Sequence, residues 1–183
     1  MAPFSNLKVL DLSADFAGSY CTRLLGDFGA SVKKIVINDR GDRSASYGPF
    51  INDGRVPKSS AMFHYMNYNK QVVSISSQSD VIRELALSAD LLIEDFSNKE
   101  IRTFGLNFAN IRELNPAIII CSMSPFGRGT KWEEKPWSDL TIQALTGMCS
   151  VNGKQGKSPL KEPGTESEFI TGANAFVASV AAL

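Results

Sequence analysis

The sequence predicts an α/β fold, a Rossmann-like, doubly wound and mainly parallel sheet with helices on both faces. Three observations carry that expectation. Short apolar runs of strand length recur through the first two thirds of the chain, segments of helical period alternate with them, and the runs are apolar nearly throughout, as suits strands covered on both faces. The 183 residues can bury most of the surface their unfolded chain exposes, so residues 1–183 are expected to form one domain without a disulfide or metal staple.

Residues 7–12 (LKVLDL) have strand length and run into the polar break Ser13-Ala14-Asp15. Ala17, Tyr20, Cys21, Leu24, Leu25 and Phe28 then recur on one face of a helix, which Gly29 stops. Residues 31–37 (SVKKIVI) return to strand character and complete a βαβ unit, whose crossover is right-handed by rule. Residues 38–60 are polar and rich in Gly, Pro, Ser and Arg without a sustained period, and a loop that long in a compact domain usually serves function. Residues 71–76 (QVVSIS) read as a third strand, and 77–88 as an amphipathic helix with Val81, Ile82, Leu85 and Ala86 inward. Residues 89–96 (ADLLIEDF) are a fourth strand, helical turns follow to Glu113, and 117–122 (AIIICS) are a fifth. Residues 138–148 read as helix, 149–164 as loop, and 166–183 as a small-residue helix ending on VASVAAL, an apolar end that normally packs against or continues into something else.

Nineteen basic side chains balance nineteen acidic ones, which removes the basic footprint needed for nucleic acid and gives no polybasic membrane patch. No apolar run approaches the roughly 20 residues that span a bilayer, and residues 1–6 lack the features of a leader. The expected setting is the cytoplasm or another reducing intracellular compartment. Cys21, Cys121 and Cys149 are odd in number, distant and apolar in context, so they read as buried small hydrophobes and no metal cluster is expected. No phosphate-binding Gly-rich fingerprint opens a helix, and the single histidine, His64, has no nucleophile elbow beside it. Trp132 and Trp137 read as loop packing. A doubly wound sheet binds ligands at the carboxyl ends of its strands, which here means Asp15-Phe16-Ala17, residues 67–70 and Glu94-Asp95-Phe96.

The order of VLDLS, AGSYCTRLLGDFGASVKKI, Gly41-Asp42, Asn67-Tyr68-Asn69-Lys70, ADLLIEDF, Asn115-Pro116, IICSMSPFGRG, Pro136-Trp137-Ser138-Asp139 and EFITGANAFVASVAAL resembles the class III CoA-transferases, the carnitine dehydratase and bile-acid-inducible protein group. The resemblance runs the length of the chain and matches the family's N-terminal part. It implies coenzyme A, bound as an acyl-CoA substrate, and acyl transfer to a small carboxylic acid. It also implies a second domain and a returning segment beyond residue 183, with a homodimer or a second CoA-transferase-like segment as partner. In the family an Asp four residues before a helix Gly attacks the acyl-CoA and carries anhydride and enzyme-thioester intermediates. Counted back from Gly172, that position is Glu168. A carboxylate suits such chemistry because it is both nucleophile and leaving group.

Read from spacing alone, Thr165-x-x-Glu168 is equally a helix capping box, and the two roles are compatible. Asn69-Lys70 and Asp95-Phe96 match segments that contact CoA in the family, with a solvated turn and a core aromatic as the plain alternatives. The chain departs from the family pattern at Val36, where Glu is expected, at Thr103, where Arg is expected and Arg102 stands one place early, and at Pro125, where Gly is usual. Ser138-Asp139 replaces the His-Asp pair of the racemase branch, which leaves a two-base exchange without one of its groups. The expected function is therefore CoA transfer through Glu168, with Phe16, Ala17, Asn69, Lys70, Asp95, Phe96 and Arg102 as candidate CoA contacts. The alternative is a non-catalytic CoA-binding or scaffolding half.

Overall fold

In the computed structural model, which describes residues 2–51, 59–76 and 79–183, the alternating pattern becomes five parallel strands. They are β1 (Lys8–Asp11), β2 (Ser31–Ile37), β5 (Lys70–Ile75), β6 (Leu91–Glu94) and β7 (Ile119–Ser122), in the order β5-β2-β1-β6-β7. The chain winds outward from β1 through β2 to β5, then crosses back to β6 on the other side of β1. That reversal opens a crevice between the carboxyl ends of β1 and β6.

Period-2 alternation along the strands feeds two separate cores. Val9, Val32, Leu91 and Ile93 face α1 (Phe16–Asp27) and α8 (Glu166–Ala182), meeting Cys21, Leu25 and Ala175. Leu10, Leu12, Ile35, Ile37 and Leu92 face α3 (Ser79–Leu87), α4 (Asn98–Thr103) and α5 (Phe108–Leu114), meeting Ile82, Ala86 and Ile111. The expected helices on both faces are thus present. The two edge strands are the exceptions to two-sided burial: Gln71, Val72 and Ser74 of β5 are exposed, and β7 is only half-buried, with Ser122 exposed.

Gly29, at φ 100°, closes α1 as expected, with Ala30 N–H reaching the Leu25 carbonyl at 3.0 Å. The loop read over 38–60 contains more structure than its composition suggests. A 3-10 turn (Arg43–Ser46) is capped by Asp42, and β3 (Phe50–Ile51) pairs antiparallel with β4 (Ser59–Ser60) ahead of α2 (Ala61–Met66). Residues 52–58 of that reading, and the first two of the helix expected over 77–88, lie outside the described residues. The helix expected over 138–148 is divided by Gly147, at φ 82°, into α6 (Asp139–Leu145) and α7 (Met148–Val151).

Helix α8 crosses α1 at Gly172. A Cβ there would stand 2.5 Å from the Ala17 carbonyl oxygen and 3.1 Å from the Tyr20 Cβ. Only hydrogen lets the two helices approach this closely, one turn from Glu168. Gly172→Ala is expected to lower unfolding free energy by about 1–3 kcal/mol, measured by urea denaturation, because α8 must shift to relieve the clash.

Candidate functional site

The crevice encloses about 650 Å³ and is walled by the β1–α1 turn, the loop after β2, the start of α4 and residues 124–137. Two arginines fix its walls. Arg40 donates from Nη1 to the Leu12 carbonyl at 3.0 Å and from Nη2 to the Asp95 carbonyl at 3.0 Å and to Asp95 Oδ1 at 2.6 Å. Its Nε donates to Glu100 Oε1 at 2.7 Å, and its guanidinium lies 4.2 Å from the centre of the Phe96 ring. Glu100 is presented by the α4 capping box, in which Ser97 and Glu100 bond each other's backbone N–H. Arg128 grips the buried Glu94 with two bonds of 2.6 and 2.7 Å and donates also to the Phe96 carbonyl at 2.7 Å.

Beneath the β1–α1 turn lies a buried charge cluster. Asp11 accepts from Thr22 at 2.5 Å and Ser13 at 2.5 Å and pairs with Lys70 at 3.0 Å. Lys34, fully buried, donates to the Ser13 carbonyl at 2.6 Å and Ser19 Oγ at 2.9 Å and pairs with Asp42 at 3.2 Å. Burial alone would raise Asp11, but Lys34 and Lys70 hold its carboxyl far below the usual carboxylate range. Burial pushes Lys70 down to about 8, against the pull of Asp11. Asp42 precedes Arg43, so this cluster anchors the loop that carries Arg43 into the site.

Glu168 sits in the first turn of α8, nearly buried, at the edge of two smaller recesses. Its Oε1 accepts from Arg43 Nη2, and its buried Oε2 has no hydrogen-bond partner. Burial, with Asp15 adding, pushes Glu168 up to about 7, while Arg43 and the Phe16 amide oppose the rise. Burial and the Asp95 carboxylate push Asp15 up to about 6, against Arg43 and Arg40. The expected capping box does not form: Thr165 makes no side-chain cap bond. The Glu168 side chain turns to Arg43, a charge-assisted partner stronger than a neutral backbone N–H.

The structure brings together Phe16, Ala17, Asp95, Phe96 and Glu168 at the crevice and its recesses. Asp95 is committed to the turn, accepting from Ala14 N–H at 3.0 Å and Asp15 N–H at 2.8 Å. Phe96 packs its ring in the core against Phe104 and Phe108, under Arg40. Asn69, Lys70 and Arg102 do not line the crevice. Lys70 spends its three donors on Asp11, the Ser19 carbonyl and Asn67, leaving none for a phosphate. Asn69 is an exposed turn residue at φ 61° bonded to Asp27, and Arg102 is exposed in the last turn of α4.

Sequence reasoning missed Arg40, Arg43 and Arg128 as site residues, and Trp137 proves to be a wall of all three cavities at the site. For Arg40 and Arg43 the available signal was the length and polarity of residues 38–60; Arg128 and Trp137 lie in two of the segments that carry the resemblance. His64 is occupied elsewhere, 2.6 Å from Ser59 Oγ, and the three cysteines are unpaired. Among the described residues no helix is long and apolar enough to cross a membrane.

The fold thus sets a carboxyl with a raised pKa, Glu168, in recesses beside a switch-point crevice of an α/β sheet, with the guanidinium groups of Arg40, Arg43 and Arg128 along that crevice. The sequence profile of CoA-transferase family III matches residues 4–183, and the chain belongs to that family. Among curated relatives it is similar to a succinate–glutarate CoA-transferase of Agrobacterium fabrum, with 29% identity over 99% of this chain and 47% of the relative. It is also similar to a succinyl-CoA:mesaconate CoA-transferase of Haloarcula marismortui, with 34% identity over 96% of this chain and 46% of the relative. A crystal structure of a CAIB/BAIF family protein from Brucella suis superposes with TM-score 0.90 at 28% identity, over 99% of this chain and 49% of that one. The chain spans about half the length of the curated relatives it matches.

Proposed function

We propose that this protein binds an acyl-CoA and transfers CoA between the acyl thioester and a small carboxylic acid through Glu168. The observation that supports the reading best is the Glu168 carboxyl itself, held between two recesses beside the 650 Å³ crevice and close to neutrality in its ionisation. A general nucleophile works best when its pKa lies near the working pH, since it is then both sufficiently ionised and sufficiently basic. Glu168 attacks the thioester carbonyl carbon, a C–O bond forms, the C–S bond breaks, and the CoA thiolate leaves with the electron pair. The thiolate then attacks the Glu168 carbonyl carbon and releases the first acid as a carboxylate; a second acid reverses the two steps.

The neutral overall charge requires that CoA phosphates be met by a few placed cations. Arg40, Arg43, Arg128 and Lys135 all line the crevice. The first three already have carboxylate partners. Lys135 is exposed and forms no ion pair among the described residues, so it is the readiest phosphate contact. Residues 1–183 act as one Rossmann-like unit in this reading, and turnover draws on a second copy or a second CoA-transferase-like segment, in keeping with relatives of about twice the length.

The test is to incubate the full chain with acetyl-CoA and succinyl-CoA, add hydroxylamine or borohydride, and map adducts by mass spectrometry. An adduct on Glu168 that disappears in Glu168→Gln is expected. The Arg43 ion pair, which occupies Glu168 in the resting state, favours a second reading, a CoA-binding half without turnover. CoA binding with no adduct from either donor establishes that second reading, and no CoA binding excludes both.

A further inference from the structure

Arg43 stands between the large crevice and the roughly 520 Å³ recess that contains Glu168, and it lines both. Glu168 is only one of the groups that hold it. Its guanidinium lies 4.5 Å from the centre of the Phe16 ring and 5.5 Å from that of Trp137, its Nη1 is 3.4 Å from Asp15 Oδ1, and its backbone N–H donates to the Ala14 carbonyl at 2.9 Å. Removing the charge of Glu168 therefore leaves the guanidinium in place, with Nη2 aimed at the position the carboxylate had filled.

We propose that Arg43 is the receptor for the carboxylate of the free acid, and that it exchanges Glu168 for that acid while Glu168 is held as its CoA thioester. The proposal rests on the CoA-transferase reading and deepens it by assigning the acid subsite. The charge balance is simple. Attack by Glu168 on the thioester converts its anionic carboxylate into a neutral anhydride carbonyl, and the negative charge departs on sulfur. Return of the thiolate to the Glu168 carbonyl carbon breaks the anhydride C–O bond, and the first acid leaves as a carboxylate beside Nη2. The second acid then occupies the same donors before it attacks the Glu168 thioester. At rest Glu168 and Asp15 face the guanidinium; while Glu168 is held as its CoA thioester, the free acid takes the place of Glu168 and Asp15 stays. The planar fork of Arg suits this exchange because it offers two parallel N–H groups to any carboxylate. The stacked rings supply the positional memory that a single ion pair lacks.

The proposal makes an unusual demand on the resting protein: the internal carboxylate competes with the ligand. Glu168→Gln copies the neutral thioester state and removes the competitor. Glutarate binding, followed by calorimetry at pH 8 on the full chain, is expected to tighten at least about tenfold in Glu168→Gln over the wild type. Adding Arg43→Gln is expected to abolish the gain, and Arg43→Lys to restore only part of it, since Lys keeps the charge and loses the fork. Dimethyl glutarate, which has the same shape and no charge, is expected to show no gain, which separates ion pairing from an opened cavity. Thermal unfolding of each variant confirms that a folded protein is compared.

Equal glutarate affinity in wild type and Glu168→Gln, or a gain that survives Arg43→Gln, overturns the proposal. Failure of the underlying reading is seen separately, as absence of acyl-CoA binding and of a Glu168 adduct in the wild type.

Discussion

Replacing Lys34 by Met is expected to cost about 3–5 kcal/mol of unfolding free energy, enough to leave a marginal domain largely unfolded at 37 °C. Met approximates the Lys stem, so little packing is lost. What is lost is the countercharge. Lys34 is buried with Asp11 at 3.5 Å and Asp42 at 3.2 Å, and without it the two carboxylates share only Lys70, which contacts Asp11 directly. Asp42, whose Oδ2 makes no hydrogen bond, then keeps its hydrogen bonds from Ser44 but loses its contacting countercharge. Urea denaturation of the single variant and of Lys34→Met with Asp42→Asn provides the measurement. The double variant should recover at least about 1 kcal/mol, because neutralising Asp42 removes the penalty that Lys34 had offset. A Lys34→Met protein of wild-type stability would show that the cluster is hydrated in solution.

Protonation of Glu168 is the second large effect. Its folded-state pKa is raised from 4.5 to about 7, so between those values the unfolded chain releases a proton that the native state retains. The stability contributed by this group is complete below about 4.5 and falls as pH rises to about 7, by on the order of 3 kcal/mol. Asp15, raised to about 6, adds a slope of the same sign at lower pH. Comparison of wild type with Glu168→Gln by urea denaturation between pH 4.5 and 8 should isolate the Glu168 part. The ¹³C resonance of its carboxyl should titrate near pH 7. Asp15→Asn removes a like charge and is expected to move that midpoint to lower pH, and the pH at which Glu168 adducts form should move with it. A midpoint near 4.5 in the wild type would contradict the burial and charge environment described above.

Most of the fold was legible because it depends on local patterns. The i, i+3, i+4 series from Ala17 to Phe28 and the stop at Gly29 reproduce α1, and SVKKIVI reproduces β2 residue for residue. The same strand hid its main functional content. Lys33 and Lys34 look alike in sequence, yet Lys34 points into the α1 face and is fully buried, because Asp11 and Asp42 meet it there from β1 and from the loop after β2. Such pairings join residues distant along the chain and leave no period to read. Arg40 and Arg43 escaped notice for the same reason: their partners are Asp95, Glu100 and Glu168, between 55 and 125 positions away. The resemblance implies a CoA contact at Lys70; in the structure that residue opens β5 and its ammonium is drawn beneath α1 to Asp11, a pairing that leaves no local pattern. Thr165-x-x-Glu168 had the spacing of a cap, but a distant guanidinium outcompeted the local amide.

The Arg40 side chain has a further consequence for how this site can diversify. One guanidinium bonds the carbonyls of Leu12 and Asp95, which follow the adjacent strands β1 and β6, and so rivets the two strand ends where the crevice begins. That wall cannot widen without breaking both bonds. The facing wall, residues 130–137, is made of turns tied by lighter links such as Asn98 to Glu133 at 2.9 Å. Ligands of different length must therefore be accommodated by remodelling the turn wall alone. An engineer seeking an altered ligand-length preference would vary residues 130–134, sparing Lys135 and Trp137, and leave the riveted strand ends untouched, retaining the folded platform while the clearance changes.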